Sequence, residues 1–286
     1  LHLEVHSFPT RRSSDLKTQY EKLNELAKRK ETIVNTINEQ GKMTPELQKR
    51  IDETWDSTIL EDIYLPYKHK RRTRAEVARQ KGLEPLATLL MLQREPNPEK
   101  RAEAYVKGEV KDAEDALKGA RDIIAEQVSE DEQARNTVRF AFSRQAVITA
   151  KVVKGKESEA DKYRDYFEFS KPLKKCTSHQ LLAIRRAEAE GLLKVSISPD
   201  DEECVERLER RFVRSNNACG EQVAEAVQDA YKRLLKSSIE TEFAAQSKEQ
   251  ADEEAIRVFV QNLRQLLLAS PLGQKRVMGI DPVFRT

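Results

Sequence analysis

The sequence predicts a mostly α-helical protein, a multi-helix scaffold of two or more subdomains, and three observations carry that prediction. Helix breakers are scarce, with 9 Gly and 10 Pro in 286 residues. Charged residues make up 35%, against roughly 25% in ordinary globular domains, and the strong helix formers Ala, Leu, Glu, Lys and Arg recur throughout. Apolar residues return every three or four positions in most windows, the period of a helix with one buried face. These features exclude an all-β sandwich and a disordered chain. No apolar run approaches the roughly 18 residues that a membrane span needs.

The elements follow in order. Leu23, Leu26, Ile33, Val34 and Ile37 place a helix over Tyr20–Gln40, stopped at Gly41. Thr44 and Pro45 restart one as N-cap and first helical residue, and it runs through Ile51. Asp56 or Ser57 caps a short helix carrying Ile59, Leu60 and Ile63, which Leu65-Pro66-Tyr67 breaks. Thr73 caps the next, ending near Gly82, and a short apolar segment covers Leu83–Leu92. Amphipathic helices are expected over Asp112–Val128 and Glu130–Thr149. Asp161–Phe169 reads as an aromatic-rich helix or turn, Ser178–Gly191 as a helix, and Leu192–Ile197 as a short strand. Pro199 and the acids after it open another helix, where the helix dipole favours negative charge. Long helices complete the pattern over Glu221–Phe243 and Ser247–Ala269.

Both ends depart from this pattern. His6–Leu16, HSFPTRRSSDL, has no periodicity and resembles the conceptual translation of a sequencing-adapter oligonucleotide. Residues 1–16 are therefore set apart as a non-native scar. Val277–Ile280 is a lone apolar strand close to the last residue, and one strand cannot close a sheet. The chain reads as a fragment.

Lys and Arg number 51 against 49 Asp and Glu, so no global field steers the chain toward polyanions. Charge is concentrated locally instead. Lys68–Lys81 holds seven Lys/Arg and one acid, Glu76, with His69 beside them. Lys68, Lys70, Arg71, Arg72 and Arg74 follow a proline-bounded loop and lead into a helix, where they can reach phosphate oxygens; a solvated surface run is the competing reading. Arg207–Arg214 is interleaved with Glu203, Glu206 and Glu209 at helical spacing, which predicts intrahelical ion pairs. Tyr163–Phe169 and the single Trp55 read as packing aromatics. Cys176, Cys204 and Cys219 are far apart and the four His supply no ligand spacing, so free thiols in a reducing cytoplasm and no metal are expected. Asp281 ends a strand ahead of Pro282, a turn signal, and receives no catalytic role. With no phosphate loop, HExxH or nucleophile elbow, no enzyme activity, cofactor or small-molecule substrate is expected.

Three stretches carry a resemblance: LEDIYLPYKHKRRTRAEVARQKGLEPLA (Leu60–Ala87), ERRFVRSNNACGEQVAEAVQDAYKRLL (Glu209–Leu235) and DEEAIRVFVQNLRQLLLASPLGQKRVMGIDPVFRT (Asp252–Thr286), with KRKETIVNTI (Lys28–Ile37) as a weaker fourth. They are similar to the Tex family of bacterial transcription accessory proteins. The resemblance implies an elongated scaffold with a helical Tex N-terminal-like region over 17–150 and a central helical region over 151–272. Residues 273–286 would then begin a truncated YqgF/RNase H-like domain with its first strand; Val283 stands where the family pattern has Gly. Helix-hairpin-helix motifs and an RNA-binding barrel would follow in the family. The implied role is non-catalytic, cytoplasmic RNA or DNA binding in transcription, through backbone contacts. The alternative is a protein–protein docking scaffold within the transcription machinery, with nucleic-acid affinity held by the C-terminal domains.

Overall fold

The computed structural model describes residues 8–69, 72–271 and 273–278, with side chains from Leu16 onward. The mostly helical class holds. The chain divides into two compact units, Leu1–Ser143 with Asp200–Ile239, and Arg144–Pro199 with Glu240–Thr286.

The first unit begins with α1 (Phe8–Glu39), α2 (Pro45–Glu53) and α3 (Ser57–Tyr64). Ile33 and Ile37 of α1 bury against Leu47, Ile51, Leu60, Ile63 and Tyr64 in one cluster. The caps lie at the positions that local chemistry favours: Thr44 accepts from Leu47 N, and Asp56 accepts from Thr58 N and Ile59 N. α4 (Arg74–Gln80), α5 (Glu84–Leu92) and α6 (Pro98–Ala102) lie against α7 (Ala113–Glu130), which α8 (Glu132–Gln145) follows. α7 buries Ala116, Leu117, Ala120, Ile123, Ile124 and Val128. It is approached so closely that a Cβ on Gly119 would sit 2.4 Å from Leu83 Cδ1.

The unit closes with α10 (Asp201–Phe212), α11 (Ala218–Asp229) and a π-helical turn over Ala230–Leu235. Gln93 clamps the connection between α10 and α11. Its amide donates to Phe212 O at 2.7 Å and accepts from Arg214 N at 2.7 Å and Ser215 N at 3.1 Å. Its own carbonyl accepts from Asn217 Nδ2 at 2.8 Å, while Asn217 Oδ1 caps Gly220 N at 2.9 Å. These bonds satisfy a connection that would otherwise bury orphan backbone groups. Tyr231 is fully buried in the π turn and donates to Asp201 Oδ1 at 2.7 Å; burial, chiefly, pushes its phenol far above the ordinary value.

The second unit carries more strand than expected: one short strand was expected there, over Leu192–Ile197, and a three-stranded sheet is found. The helix expected over Glu130–Thr149 ends at Gln145, and β1 (Val147–Val152) begins two residues later. Asp161–Phe169 is a 3-10 segment over Asp161–Tyr166 leading into β2 (Glu168–Pro172). α9 (Ser178–Ala189) and β3 (Leu193–Ser198) match their expected places, and the antiparallel sheet runs β2-β1-β3. Ile148 and Ala150 are buried between half-exposed neighbours, the period-two pattern of a sheet with one solvated face. β-branched Val147, Ile148 and Thr149 prefer that pleated surface to a helix interior.

Other corrections are local. α1 starts at Phe8 rather than near Tyr20. The last helix, α12 (Lys236–Leu267), is continuous where a break near Ala244–Gln246 was expected; the interruption is the π turn instead. Trp55 is 59% exposed, not core, with Lys30 Nζ 4.0 Å from its ring centroid. Of the Tyr163–Phe169 aromatics Tyr163 is buried, and Tyr166 meets Phe169 edge to face at 5.6 Å. Arg207 and Arg210 pair with Glu203 and Glu206 at i,i+4, as expected. The three cysteines are free thiols, and burial raises the pKa of each. Val277 and Met278 are exposed and outside any strand, while the rest of the expected last strand, with Asp281 and Val283, lies outside the described residues.

Candidate nucleic-acid interface

The basic run sits between two anchors. Upstream, the α3 side chain Asp62 is 4% exposed and accepts from Arg135 Nε at 2.6 Å and Arg139 Nη2 at 2.9 Å, with Arg139 Nη1 on its second oxygen. Arg29 of α1 grips Glu61 through two bonds at 2.6 and 3.0 Å. Leu65-Pro66-Tyr67 then turns as one 3-10 unit, and Gln40 Nε2 fixes it by donating to Tyr67 O at 2.6 Å.

Downstream, the Thr73 hydroxyl accepts from Glu76 N and donates to Glu126 Oε1, both at 3.0 Å. Glu126 is buried on α7 and holds Arg79 Nη1 at 2.6 Å. A short cap residue therefore ties the loop to both α4 and α7.

Between these anchors the cations face solvent. Lys68, His69 and Arg72 are exposed and line a groove of about 770 Å³ with Lys42 from the α1–α2 connection. The groove also holds three carboxylates, Glu76, Glu84 and Glu130, of which Glu76 and Glu84 face Arg79, at 3.7 and 3.9 Å. Among the described residues, no carboxylate lies within 4.0 Å of Lys42, Lys68 or Arg72. Lys68 and Arg72 on a loop fixed at both ends, with Lys42 beside them, have no acidic partner among the described residues and can neutralise phosphates without first breaking an ion pair there.

The five sequence-predicted contacts separate in space. Lys68 and Arg72 share the groove, whereas Lys70 and Arg71 lie outside the described residues. Arg74 is exposed and borders a different cavity of about 400 Å³, with Asp122, Arg135 and Arg233. There burial raises the Asp122 pKa above 3.8 while Arg233 and Arg74 oppose the shift. Lys42 carries no signal in the sequence because it is an isolated Lys after Gly41, 26 positions before the basic run. Only the α1–α2 turn brings it to Lys68.

Comparison with known proteins places these observations. A family model described as Tex central region-like matches residues 93–259. The chain is 38% identical over 271 residues to the transcriptional accessory protein Tex of Neisseria gonorrhoeae, covering 92% of this chain and 36% of that protein. It is 40% identical to protein YhgF of Escherichia coli K12, covering 95% and 37%. It is 31% identical to the human S1 RNA-binding domain-containing protein 1, covering 93% and 28%. The chain thus spans little more than a third of the length of these bacterial relatives.

Proposed function

The chain belongs to the Tex family, and from that premise we propose that it is a non-catalytic nucleic-acid-binding scaffold of a cytoplasmic transcription accessory protein. It engages RNA or DNA through the phosphodiester backbone. The observation that supports this reading is the set of cations without an acidic partner among the described residues, Lys42, Lys68 and Arg72, along a groove whose loop is fixed at both ends. Phosphate contacts position a protein and carry no base information, so binding of this kind is insensitive to sequence. The name of the human relative refers to RNA binding, which agrees with the reading.

The test is fluorescence anisotropy of labelled duplex DNA and a structured RNA with the full chain at several salt concentrations. Replacing Lys68, Lys70, Arg71, Arg72 and Arg74 together by Ala should weaken binding alike for every sequence. On duplex DNA the slope of log affinity against log salt falls by about 0.9 for each phosphate the protein no longer neutralises. The triple variant Lys42→Ala/Lys68→Ala/Arg72→Ala isolates the groove, and its slope should fall by about 2.7. Unchanged affinity in both variants would refute the interface.

A second reading, a protein-docking scaffold, draws on α12. Ile256, Phe259, Leu266 and Leu267 are 63%, 64%, 75% and 75% exposed there, and a contiguous apolar stretch of this kind marks an interaction surface. It predicts salt-insensitive association with a component of the transcription machinery in the absence of nucleic acid.

A further inference from the structure

Charge is unevenly distributed along the chain. Residues 144–199 hold twelve Lys/Arg against seven Asp/Glu, although the whole chain is close to neutral. The sheet shows where part of that excess goes. Its buried face carries Ile148, Ala150, Leu193 and Ile197, so strand alternation puts Thr149 and Lys151 on the outward face. The register aligns Thr149 with Ser170 on one side and Ser196 on the other, a row of three hydroxyl residues. The next outward row is Glu168, Lys151, Lys194.

Lys151 and Lys194 are therefore direct cross-strand partners, and both are exposed. Among the described residues neither has a carboxylate within 4.0 Å. Like charges placed opposite each other destabilise a sheet, so packing gives no reason for the pair. A polyanion laid across the face reverses the sign of that interaction. Arg164 shares with Lys151 a groove of about 630 Å³ whose lining also includes Asp165, Glu168 and the half-buried Phe167, so the net positive charge of this face rests on the Lys151–Lys194 pair. Ser196 Oγ in the hydroxyl row donates to Glu240 Oε1 of α12 at 2.9 Å, so the path open to a backbone runs over the lysine row rather than over the hydroxyls. The outward row positions include no aromatic residue, which leaves contact to phosphate rather than stacking on bases.

We propose that the outward face of this sheet is a second contact for the phosphodiester backbone, with Lys151 and Lys194 as its phosphate-neutralising pair. The proposal rests on the nucleic-acid reading given above but concerns a separate unit of the chain. Both contacts bind phosphate, so RNA and DNA of one sequence lose affinity alike when the pair is reversed.

The test uses the full chain and a labelled 20-nucleotide RNA and its DNA counterpart, titrated at 50 and 200 mM salt. Lys151→Glu/Lys194→Glu should weaken binding at least tenfold at 50 mM and lower the salt slope by about 1.4, two contacts on a single strand. Lys100→Glu/Lys107→Glu makes the same change in net charge at exposed positions of the first unit and should cost far less. Circular dichroism and thermal melts verify that each variant folds, and the milder Lys194→Gln should give part of the loss. Equal loss in the two double-Glu variants overturns the proposal, because only net charge then matters. So does loss in Lys42→Ala/Lys68→Ala/Arg72→Ala with none in the sheet variant, a result that leaves the groove intact as the sole interface. Loss in the sheet variant with none in the groove variant supports this face and removes the groove. No binding by the unmodified chain overturns both.

Discussion

Removing the Asp62 carboxylate tests how the candidate loop is held. Asp62 is 4% exposed and its partners Arg135 and Arg139 are 9% and 14% exposed, so this ion cluster is largely out of water. Asp62→Ala strips three hydrogen bonds from two guanidinium groups, and Arg135 keeps a 3.2 Å bond to Ser238 Oγ. Breaking a buried pair by deleting one partner costs about 3–5 kcal/mol, because the remaining charge stays desolvated. Near 4 kcal/mol the folded-to-unfolded ratio of the first unit falls roughly a thousandfold, at about 1.4 kcal/mol per factor of ten. Urea denaturation followed by circular dichroism reads this as a shift in midpoint at constant slope. Asp62→Asn keeps some of the acceptors and should lose less. A triple replacement of Asp62, Arg135 and Arg139 by apolar residues of similar volume should recover much of the loss, since the well-packed apolar alternative carries no desolvation penalty. If Asp62→Ala loses less than about 1 kcal/mol, the cluster is not the anchor argued above.

Three further perturbations follow from named contacts. Gly220→Ala would bring a Cβ to 2.0 Å from the Ser215 carbonyl oxygen, and Gln93 holds that backbone by the Ser215 N–H. A loss of at least about 1–3 kcal/mol is expected, and an unchanged melting temperature would contradict it. Asp122 has a folded pKa raised above 3.8 by burial, so the folded state binds its proton more tightly and this group's contribution to stability falls as pH rises from 3.8 upward. Asp122→Asn should flatten that part of the stability–pH curve and be neutral or stabilising at pH 7; a steeper curve would show that Arg233 dominates the site. Lys194→Glu puts an acid opposite Lys151 and should raise stability by about 0.2–1 kcal/mol while weakening RNA binding; a drop in melting temperature would count against the like-charge argument.

Much of the helical frame is legible in the sequence because its signals are local. Thr44-Pro45, Asp56, Thr73 and Asp200 each cap the helix expected after them, through bonds spanning two or three residues. The sheet is harder to read. β1 follows α8 after one residue, and its buried Ile148 and Ala150 fit either period over so short a span. Only pairing with β2 and β3, up to 51 positions away, makes it a strand. Trp55 misleads because composition assigns an aromatic at a helix end to the core, whereas here it stacks beneath Lys30.

The candidate site divides the same way. Lys68 and Arg72 stand out as a charge run, but Lys42 joins them only through the α1–α2 turn, and Arg74 faces Asp122 on another side. The Lys151–Lys194 pair leaves no local trace, because register alone brings those residues together. Sequence shows how many cations there are; folding decides which lack an acid beside them.

The central claim is that this chain holds nucleic acid by its phosphates, and the most direct measurement is a salt titration of the unmodified full chain against labelled duplex DNA and structured RNA. Binding should weaken steeply with salt, with a slope several units in magnitude, and be indifferent to base sequence. No binding at low salt, or binding that salt leaves unchanged, would contradict it and favour the docking scaffold.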